Sequence, residues 1–226
     1  MPIRQLNNAY EVTPALTAAF ERTMSPERWR TYRFAAGFNE NLAHRLYLWN
    51  AAVGQSFHFP LQTVEVSLRN VISSAISAIY GPHWTTEPGI RSNLQPHQLS
   101  DILKAEQRFY GIHGHNPNTS QTVASLSVGF WVALLRRHYH PYIWETETAN
   151  AFPHLAGGET IAHVAETGTT IQDLRNRIFH QEPLIGRNLS GDYGAILKML
   201  RWICPHTLDW MRAHSSVPVV IRERPR

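Results

Sequence analysis

The stretch DLRNRIFHQEPL, residues 173–184, gathers side chains whose types suit phosphate chemistry. Arg175, Asn176, Arg177 and His180 stand just before Pro183, which cannot continue a helix because it lacks an N–H and clashes with the preceding turn. A guanidinium keeps its proton, so an arginine bordering a core must hold an anion, either a carboxylate or a phosphate. A histidine in the last turn of a helix sits where the negative end of the dipole attracts positive charge. Together such groups supply what metal-free cleavage of RNA needs. One exchanges a proton with the 2′-hydroxyl or the leaving oxygen, and the other neutralises the charge that builds at phosphorus.

A helix must position them. At about 100° per residue, Ile171, Leu174 and Ile178 form a core stripe, with Arg175 on its flank and Gln172, Asn176 and His180 on a polar stripe. Thr170 and Asp173 read as a short capping box, which starts this helix at Thr170. Asp173 and Arg177 have the spacing of a surface ion pair. Arg175 and His180 are five residues apart, roughly 140° around a regular helix. One helix therefore does not aim both at one point unless its end bends, whereas two copies facing each other across a two-fold axis would. Glu182 is placed either to hold the His180 imidazole or only to decorate the turn. Glu65 and Arg69 share the spacing of an intrahelical ion pair, and Glu65 has the alternative of reaching across to orient Arg175. Around Arg69 and Arg175 the same tripeptide, Leu-Arg-Asn, recurs at the centre of an amphipathic pattern.

Other clusters are weaker. RRHYHPY mixes Arg136 and Arg137 with histidine and tyrosine in a manner that suits single-stranded RNA, although basic residues at helix ends commonly sit in solvent. Arg177 joins these two as a candidate RNA contact. His113 and His115 in GIHGHNP make a poor metal pair, with no cysteine or carboxylate pattern beside them. Trp131, Trp144, Trp202 and Trp210 read as core.

A chain of 226 residues with 43% hydrophobic content suits one domain with one substantial core. The net charge of +4 permits a polyanionic partner without demanding one. With Cys204 as the only cysteine, neither an intrachain disulfide nor a zinc ribbon can form, and the cytoplasm is the expected compartment. The start, MPIRQLNNAYEVTP, lacks a signal-peptide pattern, and the apolar tract Val123 to Leu135 is too short for a bilayer and is expected as one buried helix.

Helical periodicity dominates, so the expected class is all-α. Ser25 should cap a helix that opens on Pro26 and runs towards Ala52. The next helix should run from about Leu61 to Tyr80, with Val64, Leu68, Val71, Ile72 and Ala75 inward and Gly81-Pro82 as its stop. Residues 87–98 and 111–122 read as loops around a short helix at Leu99 to Tyr110. A last long helix is expected from Ser190 to His214, followed by a basic tail, IRERPR.

RNRIFH resembles the motif of the HEPN superfamily, in which Arg-Asn is followed after three residues by His. The chain as a whole resembles the Abi-like, or abortive infection, branch. The resemblance runs from SPERWRTYRFAAG through LYLWNAAVGQSFHFPLQTVEVSLRNVI, VASLSVGFWVALL and LRNRIFHQEPL to DYGAILKMLRWICPHTLDWM, covering most of residues 25–212. It implies a single Abi-like domain over residues 1–226, an all-α HEPN-like helical bundle with additional helices that forms a homodimer. Arg175, Asn176 and His180 match the ribonuclease motif, with no metal or other cofactor expected. It further implies a role in phage defence or a toxin system, with RNA as substrate and a protein or RNA antitoxin as a partner to look for. Other members of the superfamily bind RNA or act as scaffolds without cutting.

Overall fold

The computed structural model describes residues 12–226. The reading of the first residues as free of a leader lies largely outside this range. The fold is all-α: 77% of it is helical, and no strand occurs among the described residues. No helix among them is long and apolar enough to cross a membrane.

The contacts group the chain into two compact units. The first comprises residues up to Pro60, Leu174–Gly194 and Ala213–Arg226. It holds α1 (Pro14–Met24), α2 (Pro26–Ala35), the first half of α3 (Glu40–Tyr80) and the end of α9 (Ile161–Phe179). The start of α10 (Leu189–Ile203) and α12 (Val217–Arg222) complete it. Its core is aromatic: Trp29 packs on Tyr32 and His44, with ring centroids 6.3 and 4.5 Å apart, and Phe20 meets His44 edge-on at 4.6 Å. The Trp49 indole donates to the Val220 carbonyl at 2.8 Å, which ties α12 to α3.

The second unit comprises Leu61–Asp173 and Ala195–Arg212. It contains the rest of α3, α4 (Pro88–Arg91), α5 (Pro96–His113), α6 (Thr119–Ser125), α7 (Val128–Leu134) and α8 (Glu145–Ala151). Most of α9, the rest of α10 and nearly all of α11 (Pro205–His214) also lie here. Trp84 and Trp131 meet edge to face at 6.2 Å, and the Trp84 indole donates to Ser73 Oγ at 3.1 Å. Tyr139 bonds Gln98 in the same core.

Several helix boundaries differ from those the sequence predicts. Ser25 does cap α2, accepting from the Arg28 N–H, but α2 stops at Ala35. Gly37 and Phe38 then take left-handed backbone (φ +57° and +60°), and Asn39 starts α3 by accepting from the Leu42 N–H at 3.0 Å. Pro60, at the expected break, lies inside α3. A buried row, Val53, Phe57, Leu61, Val64, Leu68 and Ile72, continues through it, and its burial offsets a proline cost of about 3 kcal/mol. Gly81 ends this helix as predicted, with φ +86°.

The helix bearing the Arg-His motif begins at Ile161, not Thr170. Thr170 is interior, and its hydroxyl donates to the Glu166 carbonyl at 3.2 Å. Gly168, inside the same helix, is a packing glycine: a Cβ there would meet Val132 Cγ2 at 3.3 Å. The tract Val123–Leu135 is not one helix, because Ser127 caps a new one through the Phe130 N–H at 3.3 Å. The expected loops contain α4 and α6, and α5 is longer than its sequence pattern suggests. Pro205 divides the last long helix into α10 and α11, and a further helix, α12, follows and takes in the first two residues of the expected tail. Trp131, Trp144 and Trp202 are buried, whereas Trp210 is 54% exposed, because α11 turns Leu208 and Met211 inward instead.

Candidate active site

The residues of the motif occupy the last turns of α9 and the bend after it, within the first unit. Ile171 and Leu174 are buried and Ile178 is half-buried, as the core stripe requires. That stripe leaves Arg175 half-buried on its flank. The Arg175 guanidinium carbon lies 4.1 Å from the centroid of Phe179, one turn on. Phe179 is itself 49% exposed, so a fixed cation rests on an aromatic ring open to solvent. Such a contact contributes about 0.5–1 kcal/mol at an exposed position.

The helix ends in a tight bend. Gln181 has φ +56°, and its N–H reaches the Ile178 carbonyl at 3.0 Å, while the Glu182 N–H reaches the Arg177 carbonyl at 2.8 Å. This pair of bonds is the Schellman arrangement, usually built on glycine because a side chain strains left-handed backbone. His180 is the residue before the bend. Its N–H still bonds the Asn176 carbonyl at 2.9 Å, and its side chain is exposed. The helix therefore stays regular as far as His180, which keeps Arg175 and His180 roughly 140° apart on it, and the strained non-glycine residue, Gln181, comes just after.

The Arg177 guanidinium lies 3.4 Å from the Glu182 carboxylate. That assigns Arg177 to Glu182, where the spacing had suggested Asp173, and it gives Glu182 a partner other than the His180 imidazole. Glu65 and Arg69 stand half-buried on α3 in the second unit, where Arg69 Nε donates to the neighbouring Asn70 at 3.4 Å. Arg136 and Arg137 are exposed in that unit, at a 3-10 turn. His113 lies inside α5, and its ring is 6.1 Å from that of His115. No group of three or more His, Cys, Asp or Glu placed to hold a metal occurs among the described residues.

Beside Phe179 opens a cavity of about 460 Å³, wholly within the first unit. Ile178, Phe179, Gln181, Glu182 and Leu184 form one side of it, and α2 and α3 form the other. Asn50 joins the two sides, its side-chain oxygen accepting from the Leu184 N–H at 2.6 Å. His58 also lines the cavity, its ring centroid 6.3 Å from that of Phe179. Tyr32 lies on the same lining, its phenol pushed up to about 12 by burial and by Tyr47, against the opposing effect of Arg28. It is a neutral donor throughout the physiological range. Apart from Glu182, none of these cavity residues stands out from the sequence as functional. The available signal is Phe179 itself, an aromatic residue off the core stripe and next to the histidine. Comparison with protein-family models, curated proteins and solved structures gives no match for this chain.

Proposed function

We propose that the protein is a metal-independent endoribonuclease of the HEPN type that acts in the cytoplasm as a growth-halting effector in phage defence. The observation that carries this reading is the Arg175 guanidinium held over the ring of the half-exposed Phe179, one residue before His180. A cation on an exposed aromatic ring, followed by an imidazole at a helix end, offers RNA a phosphate contact, a stacking surface and a proton carrier together.

In this mechanism the substrate 2′-oxygen attacks the neighbouring phosphorus and the 5′-oxygen of the next nucleotide leaves. His180 either takes the 2′-hydroxyl proton or supplies one to the leaving oxygen, and Arg175 compensates the charge on the non-bridging oxygens. The products carry 2′,3′-cyclic phosphate and 5′-hydroxyl ends. Arg175 of one copy and His180 of another serve the same phosphate across a homodimer interface, and a protein or RNA antitoxin restrains the activity.

The direct test offers labelled single-stranded RNA and DNA of one sequence to wild type and His180→Ala in EDTA. Wild type cuts RNA and spares DNA, and His180→Ala is slower by roughly 10² to 10⁴. Equal cutting of DNA, or an undiminished His180→Ala, overturns the reading. Tight RNA binding without new ends would identify a non-catalytic binding module instead. Co-refolding inactive Arg175→Ala with inactive His180→Ala restores part of the activity if the site is shared. Confirmed heterodimers as inactive as their parents would exclude a shared site.

A further inference from the structure

The cavity beside Phe179 has a composition that the chemistry of a phosphate does not explain. Its volume of about 460 Å³ falls in the range of about 300–1,000 Å³ typical of small-molecule sites. We propose that it receives one unstacked nucleobase of the RNA strand whose adjoining phosphate reaches Arg175 and His180. The proposal rests on the ribonuclease reading.

The walls suit a flat heteroaromatic ring. Phe179, His58 and Tyr47 bring rings to the lining, with the buried Tyr32 behind Tyr47, and proteins that read single-stranded RNA stack splayed bases on such side chains. The edges suit a pattern of donors and acceptors. Gln55 and Gln181 each bring an amide with both functions. Asn50 accepts from the Leu184 N–H through its oxygen, which leaves its amino group as the remaining donor. A purely apolar ligand would strip these amides of water without replacing the lost bonds. Glu182 on the lining offsets Arg28, so the cavity is not the uniformly cationic cradle that a whole phosphate would call for, and a neutral base suits it better.

Gly54 supplies an independent argument. It sits on the cavity lining in the interior of the long helix α3, where a glycine costs roughly 1 kcal/mol relative to alanine. Nothing in the fold requires that cost. A Cβ there would meet only Ile178 Cγ2, at an ordinary 3.7 Å, and Gly54 is absent from the positive-φ glycines. The missing side chain leaves the cavity open.

The experiment is calorimetric titration of the full chain with 5′-AMP, 5′-GMP, 5′-CMP and 5′-UMP, each compared with ribose 5-phosphate, then mapping of cut sites in a mixed-sequence RNA. At least one nucleotide binds at one per chain while ribose 5-phosphate does not, and wild type cuts preferentially beside that base. Gly54→Leu fills the cavity, weakens nucleotide binding at least tenfold, raises KM for RNA and flattens the base preference. Phe179→Leu removes the stacking ring, weakens the same nucleotide, and serves alone if Gly54→Leu does not fold.

Ribose 5-phosphate binding as well as the nucleotides, or nucleotide binding unchanged in both variants, overturns the proposal. So does a Gly54→Leu protein that loses the free nucleotide yet keeps its cutting preference, since the occupant would then be a free nucleotide and not the strand. Nucleotide binding that depends on Gly54, with no RNA cleavage in EDTA, leaves the base site standing and removes the ribonuclease reading alone.

Discussion

Leu68–Asn70 and Leu174–Asn176 spell the same tripeptide on two long helices, and a cavity lies at or near each of them. Around Asn70 the cavity, about 400 Å³, is lined by Val71, Ser74, Ala75 and Ala78, with Glu147 and Asn150 from α8. Its charged residue is a carboxylate, already bonded to the Asn150 amide at 3.0 Å, and it has no aromatic lining. After Asn176 the chain instead presents Phe179 under Arg175, a strained bend, and a cavity with four aromatic or imidazole rings. Both linings carry a carboxylate, Glu147 in the first and Glu182 in the second, but only the second has a guanidinium, that of Arg175, stacked on one of its rings. The tripeptide is a weak marker by itself, and the residues one helical turn beyond it decide whether it can do phosphate chemistry.

The largest expected difference between the two stretches is therefore catalytic. Arg175→Lys loses both the planar fork and the stacked contact with Phe179, and RNA cleavage should fall by roughly 10- to 100-fold, as expected for a bidentate or stacked arginine. Arg69→Lys, on the same tripeptide, should leave kcat unchanged. Single-turnover cleavage of one RNA by both variants measures the contrast. Equal losses would mean that the two arginines act together, and a loss confined to Arg69→Lys would place the chemistry in the other unit.

Acid should separate the two units next. His44 is buried against Phe20 and Trp29, and burial lowers its pKa, with Glu40 opposing. In the unfolded chain it titrates near 6.5. The unfolded state therefore binds a proton that the folded state refuses, and stability falls as pH drops from about 7 through 6.5 towards the lower folded value. Hydrogen exchange at pH 7 and pH 5, corrected for the intrinsic rate, should show protection lost in α2 and the first half of α3 before α5 and α7. His44→Phe should flatten that pH dependence. Uniform loss across both units would remove His44 as its source.

How much of the fold and the site was legible depends on how local each signal is. The Ile171-Leu174-Ile178 core stripe, the Ser25-Pro26 start and the Gly81 stop are written within a few consecutive residues, and each stands where the sequence predicts. The break expected before Leu61 misled because burial along α3 against distant residues overrides the local preference of Pro60. The cavity was illegible for the same reason. His58 and Gly54 meet Phe179 and Ile178 only after more than a hundred intervening residues have folded, and no spacing in a single helix announces that.

The smallest effects lie in the bend after Asn176, a feature with no counterpart after Asn70, where α3 runs on to Tyr80. Gln181→Gly relieves left-handed backbone at φ +56°, and chemical denaturation should register a gain of about 0.5–1 kcal/mol once the greater freedom of unfolded glycine is subtracted. Arg177→Ala removes an ion pair whose two side chains are 46% and 48% exposed, so screening keeps the loss below about 1 kcal/mol. The backbone bond from the Glu182 N–H to the Arg177 carbonyl survives that substitution, and the bend should hold. If Arg177 also contacts phosphate, the slope of log affinity for RNA against log salt falls by about one while kcat stays at the wild-type value. A collapse of kcat in Arg177→Ala, with Arg175→Lys near normal, would show that Arg177 and not Arg175 stabilises the scissile phosphate.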